Sequence, residues 1–274
     1  MKFQSIFILF NTILFFFIVL ICFFAVYILG MDYALLFWRS NWFLFLILIS
    51  ILAVFDIFYF TNAKLYSLLE KEDWPALIHY LENRIFGRGK YSKRLVQLLA
   101  NTYLVLSDSI GVMGLETKVA AAKPSLVDDN ALIFGTARIL TKDFSGAVRF
   151  FEERLHTVRP PLRLWIHWYL GFALLLDRKH EKASEEFSRL VEISDNMVIT
   201  ALSAYFLNNS TKRALPEQKQ VFESIPDQGR KKVRKLLPRQ EDWNRETARI
   251  KTEVHAAVLA RYIDEAGQWL YSEA

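Results

Sequence analysis

The sequence holds a single cysteine, Cys22, in 274 residues, which excludes an intramolecular disulfide and any zinc site built from cysteines. Seven prolines and ten glycines are few for this length and sit at the ends of helical patterns. No run alternates apolar and polar residues with the period of a strand, so the chain reads as all-α. The five histidines, His79, His156, His167, His180 and His255, are scattered without the spacing of a metal site, and no glycine-rich phosphate loop is present. They read as packed or surface residues. The expectation is a protein with no catalytic residues, no metal and no cofactor, and not an enzyme.

Charge is missing too, but from one end only. From Ile6 to Leu29 only Asn11 and Thr12 are clearly polar. These roughly 24 residues would make a helix about 36 Å long, against ~30 Å of bilayer hydrocarbon. Trp42 to Phe60 is interrupted only by Ser50 and Asp56 and is close to the minimum for crossing. Gly30 to Asn41, with Asp32, Arg39 and the interfacial candidates Tyr33 and Trp38, reads as a connection, so residues 1–60 are expected to form an antiparallel transmembrane hairpin. A signal peptide is the competing reading, but its apolar core is only ~7–15 residues and no small-x-small site follows this run. Lys2 before the first run, and Lys64 and Lys71 after the second, favour both termini in the cytoplasm, and the expected location is a bacterial inner membrane. Asp56 is the one ionisable side chain at depth, and Asn11 falls at a similar level in the hairpin. Their candidate roles are a hydrogen bond between them or interfacial snorkelling, then contact with a partner's membrane helix, then a proton pathway.

After Thr61 the chain is polar and mixed in charge. Setting aside Lys2 and Arg39 from 34 bases, and Asp32 and Asp56 from 29 acids, leaves 32 against 27, so the net +5 belongs wholly to this part. A repeat runs through it. Gly135 and Gly171 are 36 residues apart; twelve residues beyond each is an alanine, Ala147 and Ala183, and four later a phenylalanine, Phe151 and Phe187. A small side chain where two antiparallel helices cross, with an aromatic four positions on filling the gap toward the next pair, suits stacked helix hairpins.

Here the chain resembles the tetratricopeptide repeat (TPR) superfamily. Leu170, Gly171, Leu174, Ala183, Phe187 and Leu190 match its pattern in the unit from about 164 to 197. Phe134, Gly135, Ala147, Phe151 and Pro160 match it in the preceding one, with Arg138 standing where an apolar residue is expected. Leu99, Ala100, Tyr103 and Pro124 suggest an earlier unit, whose second helix has Val112 and Glu116 in place of the small and aromatic residues. Ala76 and Tyr80 suggest a half-unit whose first helix would be Thr61 to Glu70. Leu202, Ser203 and Phe206 echo a further one before Pro216 and Pro226 break the register. The overall layout is similar to the bacterial HemY-type proteins, and loosely to TPR proteins around the spirochaetal flagellar motor.

The resemblance implies a TPR-like α-solenoid over residues 61–210, followed at 211–274 by a helical extension. A long amphipathic helix from about Glu241 to Leu270, carrying Trp243, Val254, Tyr262 and Trp269, would either cap the solenoid or bind a partner. The resemblance also implies a concave groove for a partner peptide or helix. By the matched glycines, that groove would be lined by Arg94, Gln97, Asn101, Leu132, Thr136, Trp165, Trp168 and Phe172. Trp165, Trp168 and Phe172 share one helix face; such a stripe is more often core, but Leu170 and Leu174 already supply a packing face opposite. Arg230, Lys231, Lys232, Arg234 and Lys235 form the densest basic run, either a solvated helix face or a contact for anionic lipid; no interleaved aromatics point to nucleic acid. The expected function is a membrane-anchored scaffold for protein partners, with possible oligomers or a larger complex. The alternatives are a structural component whose own C-terminal helix occupies the groove, or an enzyme without a recognisable motif. No Gly, Pro or Ser run separates Phe60 from Lys64, so the second apolar helix is expected to run straight on into the polar part.

Overall fold

The computed structural model describes residues 3–160, 162–211, 221–252 and 258–272, and among these every regular element is helical. The chain divides into two compact units, residues 1–81 and 82–274.

In the first unit, α1 (Phe3–Ser40) is broken at Gly30, whose φ of 76° and ψ of 164° are open to glycine and costly for other residues. α2 (Trp42–Glu70) starts after Asn41, whose side-chain amide donates to the Phe37 carbonyl at 2.9 Å. Residues 31–40, expected as a connection, are therefore helical, and the breaks are confined to Gly30 and Asn41. The two helices run antiparallel: Phe7 stacks on Tyr59 with ring centroids 3.7 Å apart, and Phe10 meets Phe55 at 5.3 Å. Both are long and apolar enough to cross a membrane, and their apolar windows are not buried in protein. α2 continues without interruption past Thr61, whose hydroxyl donates back to the Ile57 carbonyl at 2.6 Å. α3 (Trp74–Glu82) follows and ends in a wide turn to Gly87.

The second unit continues with α4 (Lys93–Val105), α5 (Ser109–Ala122), the single turn α6 (Ser125–Asp129), α7 (Ala131–Leu140), α8 (Phe144–Arg154), α9 (Leu162–Leu176), α10 (His180–Ile193) and α11 (Met197–Phe206). Each helix packs on its successor. The first helix of each hairpin also packs on the first of the next, α4 on α7, α7 on α9 and α9 on α11.

One turn recurs through both units. Glu72, Ser107, Lys142 and Arg178 are non-glycine residues with φ between 53° and 63°, spaced 35, 35 and 36 residues apart. Each closes a helix in the same way, the next residue's N–H reaching five residues back, to the carbonyls of Leu68, Tyr103, Arg138 and Leu174. In the first three turns that next residue is an aspartate, Asp73, Asp108 or Asp143, whose carboxylate accepts from the backbone N–H of Ala76, Gly111 or Gly146 and so starts the second helix. Lys179 replaces it in the fourth, and no side chain caps α10.

The glycine and aromatic positions of the repeat meet directly. A Cβ on Gly135 would lie 2.1 Å from the Phe151 ring, and one on Gly171 would lie 2.9 Å from Phe187. The same rings face the next hairpin, Phe151 stacking on Tyr169 at 5.7 Å and Phe187 on Phe206 at 5.5 Å. The two departures from the pattern also answer each other. Glu116, in the aromatic position, accepts from Arg138, in the apolar position, at 2.6 Å with both side chains largely buried. Arg138 and Arg154 flank the Phe150 ring at 4.3 and 3.7 Å.

Three helices complete the unit: α12 (Val221–Leu236), α13 (Gln240–Lys251) and α14 (Ala260–Tyr271). The single long C-terminal helix expected from the sequence is thus two, which pack with the Trp243 indole directly over Gly267. Pro226 lies inside α12 rather than ending a helix. Gly229 lets α12 approach Ala204 and Val191 closely. Pro216, Val254 and His255 lie outside the described residues.

Candidate functional site

Because the hairpins repeat, α4, α7, α9 and α11 all start at one edge. Ser92 caps α4 by accepting from Leu95 N–H at 3.3 Å, and the Asn196 side chain caps α11 by accepting from Val198 and Ile199 at 3.0 and 3.1 Å. Between these helix starts lies a cleft of about 430 Å³ whose walls include Gln97, Asn130, Leu132, Trp165 and Ile199, with Lys93 and Asp129 at 3.9 Å from one another. Asn130 is only 3% exposed. Its amide donates to the Leu126 carbonyl at 2.8 Å, while its side-chain oxygen has no hydrogen-bond partner among the described residues. The cleft therefore combines an apolar wall of Leu132, Ile133, Trp165 and Ile199 with the polar residues Gln97 and Asn196, a mixture suited to an apolar segment that carries a few polar groups.

Of the residues expected to line a groove, Gln97, Leu132 and Trp165 border this cleft. Arg94 is exposed in the first turn of α4, and Asn101 lies half-buried farther along it. Thr136 is fully buried. The exposed aromatic face expected on α9 is not there: Trp168 is 0% and Phe172 2% exposed. The cause is tertiary. α9 is packed by neighbours on every side, with Phe206 of α11 5.7 Å from Trp168 and Tyr262 of α14 5.6 Å from Phe172. Asn130 and Ile199 were not expected in the site; the only sequence signal was an asparagine before each apolar run, at Asn130 and Asn196.

The basic run is divided by the fold. Arg230 donates to the carbonyls of Leu270 at 2.9 Å and of Ser272, and Lys232 donates to Val191 at 3.3 Å and Ser194 at 2.8 Å. These two bases complete the C-terminal carbonyls of α14 and α10, where the helix dipole favours a cation, so they are not a free lipid-facing surface. Arg234 reaches over the Tyr271 ring at 5.8 Å but stays exposed, as do Lys231 and Lys235. α14 is held further by the Tyr271 hydroxyl donating to Leu237 at 2.6 Å and by Tyr205 donating to Glu265 at 2.7 Å. Burial first, then the hydrogen bond to Glu265, pushes the Tyr205 phenol above its usual range. Tyr205 first, then Arg261, holds Glu265 below the ordinary carboxylate range.

The bond proposed between Asn11 and Asp56 is not formed. Asn11 donates to the Phe7 carbonyl of its own helix at 3.3 Å, and one Asp56 carboxylate oxygen has no hydrogen-bond partner among the described residues. His167 is buried and meets Glu186 at 2.9 Å across α9 and α10, and no group of three or more His, Cys, Asp and Glu that could hold a metal occurs among the described residues.

The fold and cleft define a class: an all-helical protein of repeated hairpins, carrying two N-terminal helices long and apolar enough to cross a membrane. Within it, the chain belongs to a family described as "Uncharacterised Treponema protein", which matches residues 111–272. It is similar to an uncharacterized protein of Treponema pallidum (strain Nichols), 32% identical over 180 residues that cover 66% of this chain and 56% of that protein. No solved structure matches the chain.

Proposed function

We propose that this chain is a membrane-anchored, TPR-like solenoid adaptor that holds a segment of a partner protein in the cleft between the starts of α4, α7, α9 and α11. The observation that carries this reading is the cleft itself, in which Leu132, Trp165 and Ile199 form an apolar wall beside Gln97, Asn130 and Asn196. The 35- to 36-residue recurrence of one turn geometry supports the solenoid, and the two apolar helices support the anchor.

The test is a photocrosslinking amino acid placed at Trp165 in the full chain in its native membrane, with Ile110, 78% exposed in the first turn of α5, as the comparison position. Residue 165 is expected to trap a defined partner that residue 110 does not, and Asn130→Ala with Gln97→Ala is expected to reduce that yield at least fivefold. Identical products at both positions would sink the assignment. A self-occupied groove is the second reading, favoured by Tyr262 packing on Phe172 and Phe206 at 5.6 and 5.0 Å. Under it, residue 165 crosslinks only within the chain.

A further inference from the structure

Topology sorts the charges of the 82–274 unit onto opposite edges. The connections leading into α4, α7, α9 and α11 converge, which is why two adjoining cavities share Lys93, Asp129 and Leu162, and the second extends to Ser125 and Arg159. α12 reaches the same edge, since Lys232 is held by the carbonyls that end α10. Here lie Lys90, Arg94, Lys123, Arg159, Lys231 and Lys235, all exposed and none with a side-chain partner among the described residues. Leu236, beside Lys235, is 62% exposed. Several acids at this edge are matched by bases: Asp128 and Asp129 face Arg154 and Lys93 at 3.9 Å and Glu153 pairs with Arg154 at 3.2 Å, while Glu192 and Asp195 are exposed. At the opposite edge, the turns balance their bases. Lys142 is followed by Asp143, and Lys179 pairs with Asp177 at 2.8 Å.

We propose that this basic edge docks on a bilayer surface bearing anionic lipid headgroups, with Leu236 entering the interface. The proposal rests on the reading that the two apolar helices anchor the chain, because only then are the headgroups always within reach. Anionic headgroups attract bases that lie within a Debye length, about 8 Å at physiological salt. The sequence shows only the run at 230–235; the fold replaces its two occupied members, Arg230 and Lys232, with Lys90, Arg94, Lys123 and Arg159 from distant segments.

The test uses the full chain in nanodiscs of phosphatidylcholine, with and without phosphatidylglycerol, read by amide hydrogen exchange. Segments 88–94, 122–126, 157–160 and 229–238 are expected to exchange several-fold more slowly on the anionic discs. That protection should vanish in about 1 M salt, where the Debye length falls to about 3 Å. It should also vanish in the variant Lys90→Glu, Arg94→Glu, Lys231→Glu, Lys235→Glu, and persist in the opposite-edge variant Lys142→Glu, Lys182→Glu. Equal exchange on the two lipids, equal loss in the two variants, or stronger protection by an RNA oligonucleotide on neutral discs would overturn the proposal. Release of the chain from neutral bilayers by alkaline carbonate would instead overturn the anchor alone. The edge is then still decided by protection on phosphatidylglycerol vesicles.

Discussion

At the scale of single residues, two glycines decide how closely the hairpins close. In a helix interior glycine costs about 1 kcal/mol relative to alanine, so its presence at 135 and 171 needs a packing reason. That reason is the ring lying on each, Phe151 and Phe187. Gly135→Ala is expected to destabilise by about 1–3 kcal/mol, since a Cβ 2.1 Å from a packed ring forces the ring to move. Gly171→Ala, with its nearest ring atom at 2.9 Å, is expected to cost clearly less. Urea unfolding of the two variants measures the difference, and equal losses would show that the rings relax equally. The glycine and phenylalanine were legible as a spaced pair; their direct contact within one hairpin was not, because a 36-residue period says nothing about which faces touch.

At the scale of helices, the informative positions are those that broke the pattern. Glu116 and Arg138 read separately as two poor matches, yet they form one ion pair between α5 and α7 at 2.6 Å. Breaking a buried pair by removing one partner leaves the other charge unpaired. Glu116→Gln is therefore expected to cost about 2–4 kcal/mol, whereas Glu116→Phe with Arg138→Leu, which restores the repeat pattern, should cost less than the single change. Denaturation of both variants decides this, and a loss in the double variant as large as or larger than that of Glu116→Gln would overturn the expectation. The α9 stripe shows the reverse failure. Its spacing puts three aromatic residues on one helix face, but burial of Trp168 and Phe172 depends on α11 and α14, which follow far along the chain.

At the scale of the whole molecule, the last helix is held by groups that titrate. Glu265 has its pKa lowered in the folded state, so its contribution is present above the ordinary carboxylate value and is lost as pH falls through the folded one. Tyr205 has its pKa raised, so its contribution is present below the ordinary phenol value of about 10 and is lost as pH rises beyond it. The docking of α14 is therefore expected to be firm between about pH 4.5 and pH 10 and to loosen at both ends. Trp269, whose ring lies 6.3 Å from Tyr205, offers a nearby fluorescence probe. Burial also raises the Tyr271 phenol of α14, whose hydroxyl donates to Leu237. Tyr205→Phe should therefore reduce the alkaline limb and Tyr205→Phe with Tyr271→Phe should abolish it, while global unfolding in urea stays cooperative. An alkaline limb unchanged by Tyr205→Phe would exclude the Tyr205–Glu265 bond as a contributor.

The sequence by itself determined what depends on local pattern: an all-helical chain, two apolar N-terminal helices, continuity of the second past Thr61, and a 36-residue recurrence of small and aromatic residues. These follow from side-chain polarity and helical periodicity, both readable over a few turns. Tertiary structure alone decided which aromatics are core, that Arg230 and Lys232 are occupied by helix ends, and that the C-terminal segment folds as two helices. It also brought Lys93, Asn130, Trp165 and Asn196 to one cleft. Burial and convergence are properties of neighbours distant in the chain, and no local spacing encodes which neighbour will arrive.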